Sequence, residues 1–392
     1  MKLRVGVVFG GPSVEHEVSV ISALQAIQHM NQEKYDVVPI YISKNREWYC
    51  GSELREISNY QDIPKLLQQL NPVNFVRMGN EFCLVRTTGL FRKVVDTVDV
   101  VFPIVHGQNV EDGSLVGFFE TLGVPYVGSN VLASSLGQDK VIMKQVFESQ
   151  DIPVVDYVWF LENDYYESKK SILKDIKKMG YPVVVKPARL GSSVGIHFVK
   201  DESELLVALE DAFVYDKKIV VEKAISNLIE VNCSVLGTMD QMEVSELEEV
   251  LSSHDILTFQ DKYVGEGKSG GSSKGMVNTS RIIPANIEKE LETQVKDLSK
   301  KVFRTLNLSG VVRIDYLIDS KTHEVFVNEP NIIPGSLAFY LWEPKGKKYS
   351  QLLDEMISYG IREYKEKSKK TTCFDTNILD NFGGLKGSKG KL

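Results

Sequence analysis

Residues 183–196, VVVKPARLGSSVGI, constrain the fold more than any other stretch of the chain. Val183, Val184 and Val185 form a β-branched run of the kind that packs as a buried strand. Lys186 follows, and then a loop in which Gly191, Ser192, Ser193 and Gly195 leave backbone N–H groups uncovered. Such a loop can close over an anion, with Lys186 as a point charge at its mouth. Taken by itself the pattern is also that of an ordinary strand and Gly/Ser turn, so the surrounding chain has to decide.

The N-terminal segment begins a βα alternation. Residues 3–9 form an apolar strand, Gly10 and Gly11 turn it, and Ser13 can cap a helix with Val18, Ile21, Leu24 and Ile27 on one face. Glu15 falls in that helix's first turn, either completing the dipole or standing as a ligand at the strand's end. Residues 35–41 read as the next strand. Another, over 98–105, ends at His106 and Gly107, with Glu111, Asp112 and Gly113 opening a helix. A histidine at the end of a parallel strand stands where open α/β sheets bind ligands. Residues 124–127 read as one more strand, and Gly128 marks a domain boundary.

Residues 130–150 read as one helix with Lys140 and Lys144 on the same face. A strand over 152–160, a helix over 168–179, a helix over 203–211 and strands over 218–223 and 231–236 suggest two α+β lobes, not a continued parallel sheet. Residues 252–284 include a Gly/Ser/Lys-rich run without apolar period, which suits a linker or a lid. After an amphipathic helix over 286–306, residues 310–318 and 325–329 read as a hairpin. Arg313 and Asp315 share one face of its first strand, Glu329 ends the second, and Asn331 follows. Two carboxylates and an amide there suit a hard cation such as Mg²⁺, or else are solvated edge residues balanced by Arg313. A helix over 351–364 and a basic tail over 365–392 close the chain.

Composition narrows the function classes. A formal net charge of −7 argues against a general affinity for nucleic acid or anionic membrane. Cys50, Cys83, Cys233 and Cys373 form no CxxC or Cys/His spacing, so they suit reduced thiols better than disulfides or a zinc site. The opening MKLRVGVVFGG is too short an apolar run for a signal peptide, and no run approaches a membrane span. A cytoplasmic protein is expected.

Five motifs then fall in register: HGxxxEDG at 106–113, DKxxxK at 139–144, VKPARLGSSVGI at 185–196, VRIDY at 312–316 and NEPNIIPG at 328–335. Their order resembles the ATP-grasp carboxylate–amine ligases, and FGGPSVEHEVSV at 9–20 makes the likeness specific to the D-alanine–D-alanine ligase family. The likeness runs from about residue 2 to 364. It implies an ATP-grasp fold of mixed α/β and α+β type, with an N-terminal parallel α/β substrate domain over 1–128. A central lobe over 129–223 and a C-terminal lobe over 224–364, carrying the lid, would clamp ATP. It further implies that Lys140 and Lys186 contact the nucleotide's phosphates, that Ser193 and Lys262 also bind the nucleotide, and that Glu222 and Glu230 hold adenine and ribose. Asp315, Glu329 and Asn331 would bind two Mg²⁺ ions, with Mn²⁺ as a substitute. Glu15 would hold the first D-alanine's amino group in a hydrogen-bonded group with Ser192 and Tyr263, and His106 would face its carboxylate. Arg313 and the N–H of Gly335 would stabilise the oxyanion, and Tyr340 and Leu341 would meet the second substrate. A role in peptidoglycan precursor synthesis and a homodimer are expected on the same ground.

Three places depart from the family pattern. Val110 stands where glycine is usual, and the lid reads FQDKYVGEGKSGGSSKGM in place of a tyrosine-rich run. SLAFYLWEP at 336–344 replaces a Met-Thr-Ser-His-Ser-Leu type of segment that lines the second amino acid's pocket. The readings left open are therefore a D-alanine–D-alanine ligase, an ATP-grasp ligase for another amino-acid or hydroxy-acid pair, and a non-catalytic nucleotide-binding relative. A nicotinamide-dependent oxidoreductase is disfavoured, because Gly10–Gly11 falls short of GxGxxG.

Overall fold

Three sheets follow one another along the chain in the computed structural model, which describes residues 2–89, 93–251 and 280–374. The first contains β1 (Leu3–Gly10), β2 (Tyr35–Ile42), β3 (Trp48–Cys50), β4 (Asn71–Met78), β5 (Glu81–Arg86), β6 (Val94–Val98) and β7 (Val100–Val105), in the order β6-β5-β4-β3-β2-β1-β7. It is parallel only across β2-β1-β7; the rest is antiparallel. The turn over residues 43–47 is too short for the crossover a parallel pair needs, so β3 must fold back. Helices α1 (His16–His29), α2 (Ile63–Gln69) and α3 (Ser114–Leu122) belong to this part. The strand expected at 124–127 reduces to a single parallel bridge, Val101 to Tyr126; Pro125 lacks the N–H that would extend it.

The helix expected over 130–150 is two helices, α4 (Val131–Gln138) and α5 (Lys140–Glu148). Asp139 separates them: its carboxylate accepts the N–H groups of Val141 and Ile142 and caps α5, as Asn130 caps α4. Although expected in the central lobe, these helices send Ala133, Met143 and Phe147 into the core of the third sheet. The second sheet, β10-β9-β11-β8, comprises β8 (Tyr157–Leu161), β9 (Val183–Pro187), β10 (His197–Val199) and β11 (Lys218–Lys223), with α6 (Glu162–Met179) and α7 (Glu202–Tyr215) alongside. The third, β14-β13-β12-β15-β16, comprises β12 (Leu228–Gly237), β13 (Met242–Leu251), β14 (Ser280–Ile282), β15 (Gly310–Asp319) and β16 (Val325–Asn331). Helix α8 (Lys289–Thr305) covers it, and α9 (Tyr349–Ser368) runs on into the expected tail. The expected lid lies outside the described residues up to Ser280.

Apolar packing groups these layers unevenly. Val5, Phe9 and Leu24 of the first sheet and its helix share one core with Leu236, Val311, Leu341 and Trp342 of the third part. The second sheet packs mainly on itself and on α6 and α7, through residues such as Phe160, Val185, Leu209 and Val221.

Candidate active site

The anion-loop reading of residues 183–196 has a definite geometry. Strand β9 delivers Lys186 to a cleft between the second and third sheets, and the loop then turns back to β10 through Ser192 and Ser193 at φ of 55° and 59°. Non-glycine residues in that left-handed region persist only where their surroundings hold them. One such contact is Ser192 Oγ, which donates to Glu15 Oε1 at the mouth of α1. Glu15, not Ser13, occupies the N-cap position of α1, and Ser13 Oγ instead accepts the Glu15 N–H at 3.1 Å. Two glycines make room for this carboxylate. A Cβ on Gly191 would lie 2.9 Å from Glu15 Oε2, and one on Gly107 would lie 2.6 Å from the same atom.

Beyond Glu15 the end of β7 supplies His106, buried, with Nε2 3.2 Å from Ser22 Oγ. Burial pushes the ring's pKa down to about 4, so it is neutral near pH 7. Glu111 accepts the Gly107 N–H at 2.8 Å and the Ile333 N–H at 3.0 Å, tying the first sheet's loop to the segment after β16. Enclosure, and then the nearby charge of Glu15, push its pKa up to about 8 despite those two donors. Ser22 Oγ also accepts the Ser336 N–H at 3.0 Å.

Three lysines meet two glutamates at the cleft. Lys140 Nζ lies 2.8 Å from Glu329 Oε2 and donates to the Leu190 carbonyl at 2.9 Å. Lys186 Nζ lies 2.6 Å from Glu222 Oε2 and 3.0 Å from Asn328 Oδ1. Lys144, fully buried, lies 2.9 Å from Glu222 Oε1. Burial alone would raise the Glu222 pKa, but Lys144 and Lys186 outweigh it and hold the carboxyl down at about 2. Lys144 itself is pulled below its usual range by burial.

The third sheet supplies the remaining groups. In the β15–β16 register Arg313 faces Asn331 and Asp315 faces Glu329, with an irregularity between Asp315 and Tyr316. Arg313 grips Asp315 through Nε at 2.7 Å and Nη2 at 2.8 Å, and Asn331 Nδ2 donates to Asp315 Oδ2 at 3.0 Å. Nearby, Glu248 Oε2 accepts from Asn232 Nδ2 at 2.9 Å and from the Tyr340 hydroxyl at 3.1 Å. The Arg281 guanidinium lies 4.6 Å from the Tyr340 ring centre and 3.4 Å from Glu248. Among the described residues no group of three or more His, Cys, Asp or Glu side chains is gathered as a metal site.

Two family models match the chain: the D-ala D-ala ligase N-terminus over residues 4–129 and the D-ala D-ala ligase C-terminus over residues 146–358. The chain belongs to the D-alanine–D-alanine ligase family. A D-alanine–D-alanine ligase from Thermosipho melanesiensis is 39% identical over 96% of this chain and 98% of its own length. One from Thermosipho africanus is 37% identical over the same shares. Among solved structures, the D-alanine-D-alanine ligase from Coxiella burnetii has a TM-score of 0.77 at 28% identity, covering 94% of this chain and 96% of its own. The VanG D-Ala:D-Ser ligase from Enterococcus faecalis has a TM-score of 0.75 at 30% identity, covering 92% and 100%. The ATP-grasp architecture is thus that of this ligase family.

Most expected site residues line one cleft. Glu15 and His106 stand on the first-domain side, Lys186, Ser192, Ser193 and Glu222 come from the second sheet and its β9–β10 loop, and Lys140 comes from the start of α5. Glu230, Arg313, Asp315, Glu329, Asn331, Gly335 and Tyr340 close it from the third. Leu341 does not join them: the turn that begins at Gly335 aims it into the shared core, where it is fully buried. Glu222, expected with Glu230 at the adenine and ribose, lines the cleft with its two oxygens facing Lys144 and Lys186. Lys262 and Tyr263 lie outside the described residues. Glu111, Lys144 and Glu248 were not assigned from the sequence as site residues. The first two were within reach, beside His106 and one helical turn from Lys140.

Proposed function

We propose that the chain joins two D-alanine molecules in an ATP-dependent reaction through an acyl phosphate, supplying D-alanyl-D-alanine for peptidoglycan precursors in the cytoplasm. The observation that carries this reading is the convergence of Glu15 and Ser192, from separate lobes, on a cleft also lined by Lys140, Lys186 and the Arg313–Asp315 pair. A carboxylate is a poor electrophile and must first be phosphorylated. Glu15 receives the first substrate's ammonium, and neutral His106 faces its carboxylate without adding a charge. One carboxylate oxygen attacks the γ-phosphorus and ADP leaves; Lys140 and Lys186 neutralise the phosphate oxygens, because such a transfer needs positioning and charge above all. The unprotonated amine of the second D-alanine then attacks the acyl carbon, the carbon–oxygen bond to phosphate breaks, and inorganic phosphate leaves carrying the proton that the nitrogen gives up. Arg313 and the Gly335 N–H meet the oxyanion; losing one such donor typically costs about 3–4 kcal/mol of activation free energy.

Asp315, Glu329 and Asn331 offer oxygen atoms from neighbouring positions of two paired strands, a donor set that fits Mg²⁺ with water and phosphate oxygens completing its shell. Bound there, the ion would neutralise phosphate charge as a Lewis acid. A second reading, in which the acceptor differs from D-alanine, is favoured by Tyr340, whose hydroxyl meets Glu248 beside Arg313. The deciding experiment is ATP-dependent phosphate release with magnesium across D-amino acids, L-amino acids and D-lactate. Turnover with D-alanine alone, giving the dipeptide, supports the first reading. Turnover only with a mixed pair supports the second, and none with any pair refutes both.

A further inference from the structure

Lys144 has no role in the chemistry above, yet it is placed with more care than a structural lysine needs. It is fully buried on α5, one turn from Lys140, and its ammonium faces the carboxylate that also faces Lys186. Glu222, itself buried, therefore divides one negative charge between two ammonium groups, at 2.9 Å and 2.6 Å. An isolated pair of Glu222 and Lys186 would be neutral. It would hold Lys186 inward, because a buried ion pair is strongly attractive once its desolvation has been met. A phosphate arriving in the cleft would have to compete with Glu222 for that lysine. With Lys144 present the trio carries a net positive charge, and half of the competing carboxylate is already engaged.

We propose that Lys144 is a positioning residue for the nucleotide, which engages Glu222 so that Lys186 remains available to the phosphates of ATP. This rests on the ATP reading of the cleft but concerns a side chain that need not touch the nucleotide. Lys144 also lies 5.7 Å from the Tyr157 ring centre, a contact that a methionine would keep.

The test is equilibrium binding of ATP with magnesium chloride, by calorimetry on the full chain without amino acid, which separates affinity from turnover. Lys144→Met leaves Glu222 paired with Lys186 alone and is expected to weaken ATP binding about tenfold. Lys144→Gln, which keeps a donor but no charge, is expected to do the same and serves if the methionine variant does not fold. Glu222→Gln alone is measured beside the double variant Lys144→Met with Glu222→Gln: with the competitor gone, loss of Lys144 is expected to change ATP affinity by less than about twofold relative to Glu222→Gln. Single variants that bind as tightly as the unaltered chain would overturn the inference. So would a double variant about tenfold weaker than Glu222→Gln, since Lys144 would then act through packing. An unaltered chain that binds no ATP would overturn the nucleotide reading itself, and this inference with it.

Discussion

Gly191→Ala separates the geometry of the site from the stability of the fold. The glycine's backbone is not in the left-handed region, so alanine meets no backbone strain there. The added methyl would lie 2.9 Å from Glu15 Oε2, and restoring an ordinary 3.4 Å contact requires the carboxylate to retreat by about 0.5 Å. A carboxylate at the end of a flexible side chain gives way more easily than the loop backbone. That retreat draws Glu15 away from both Ser192 and the proposed ammonium position. A misplacement of 1 Å costs about a hundredfold in rate, so half of that distance corresponds to roughly tenfold in kcat/KM for D-alanine. Stability should move the other way: reduced freedom of the unfolded chain contributes about 0.4–1 kcal/mol in favour of the variant. Steady-state ADP release and a thermal melt on the same preparation test both halves. Activity within twofold of the unaltered chain, with the melt unchanged or raised, would refute the placement of Glu15. Gly107→Ala is the contrast: at φ +83°, with its methyl 2.3 Å from Ser13 Oγ, it should destabilise the fold as well.

Glu329→Gln is expected to abolish turnover while leaving the melt within a few degrees, and near-normal activity would remove the metal assignment. Glu222 makes a pH-dependent contribution to stability. Its folded pKa of about 2 lies below its ordinary 4.5, so its stabilisation is present above about pH 4.5 and is lost as pH falls through about 2. The difference corresponds to about 3 kcal/mol, and urea denaturation of Glu222→Gln should show a shallower acid dependence by about that amount; an unchanged slope would contradict it. Tyr340→Phe removes the hydroxyl from Glu248, and the ratio of kcat/KM for D-alanine to D-serine as acceptor should shift about fivefold, the worth of one hydrogen bond of ~1 kcal/mol. No change in the ratio would place Tyr340 outside the acceptor site.

What could be read from the sequence was whatever depends on local pattern. The β-branched run before Lys186, the shared face of Arg313 and Asp315, and the helical spacing of Lys140 and Lys144 all have the geometry that their periods imply. What escaped depends on partners distant in sequence. Glu111 is bonded to Ile333, and Glu248 to Tyr340; no spacing announces either contact. Leu341 was misplaced because the direction of a residue after a proline–glycine turn depends on backbone angles. Ser336, Leu337 and Ala338 all take positive φ, which turns the leucine toward the core instead of the cleft. The break at Asp139 was recoverable, since an aspartate two residues before Val141 is an ordinary cap signal.

The uneven sharing of the apolar cores has a mechanical meaning. The first and third sheets are fused by common packing from Val5 to Trp342 and form one anvil, bolted again at the cleft by Glu111. The second sheet keeps its apolar contacts largely at home and meets the rest through the small cluster of Val141, Ala188 and Val220 and through polar links such as Ser192 to Glu15. Charged links of that kind exchange readily for water or for a ligand's own charges, whereas a shared core does not. Entry and exit of the nucleotide should therefore swing the second sheet against a stationary pair, with α5 beside the hinge and the Ser192 contact as its latch. An order of binding follows from that anatomy. An ammonium settling against Glu15 competes for the latch, so the first amino acid loosens or seats the jaw according to whether ATP already holds it from the other side.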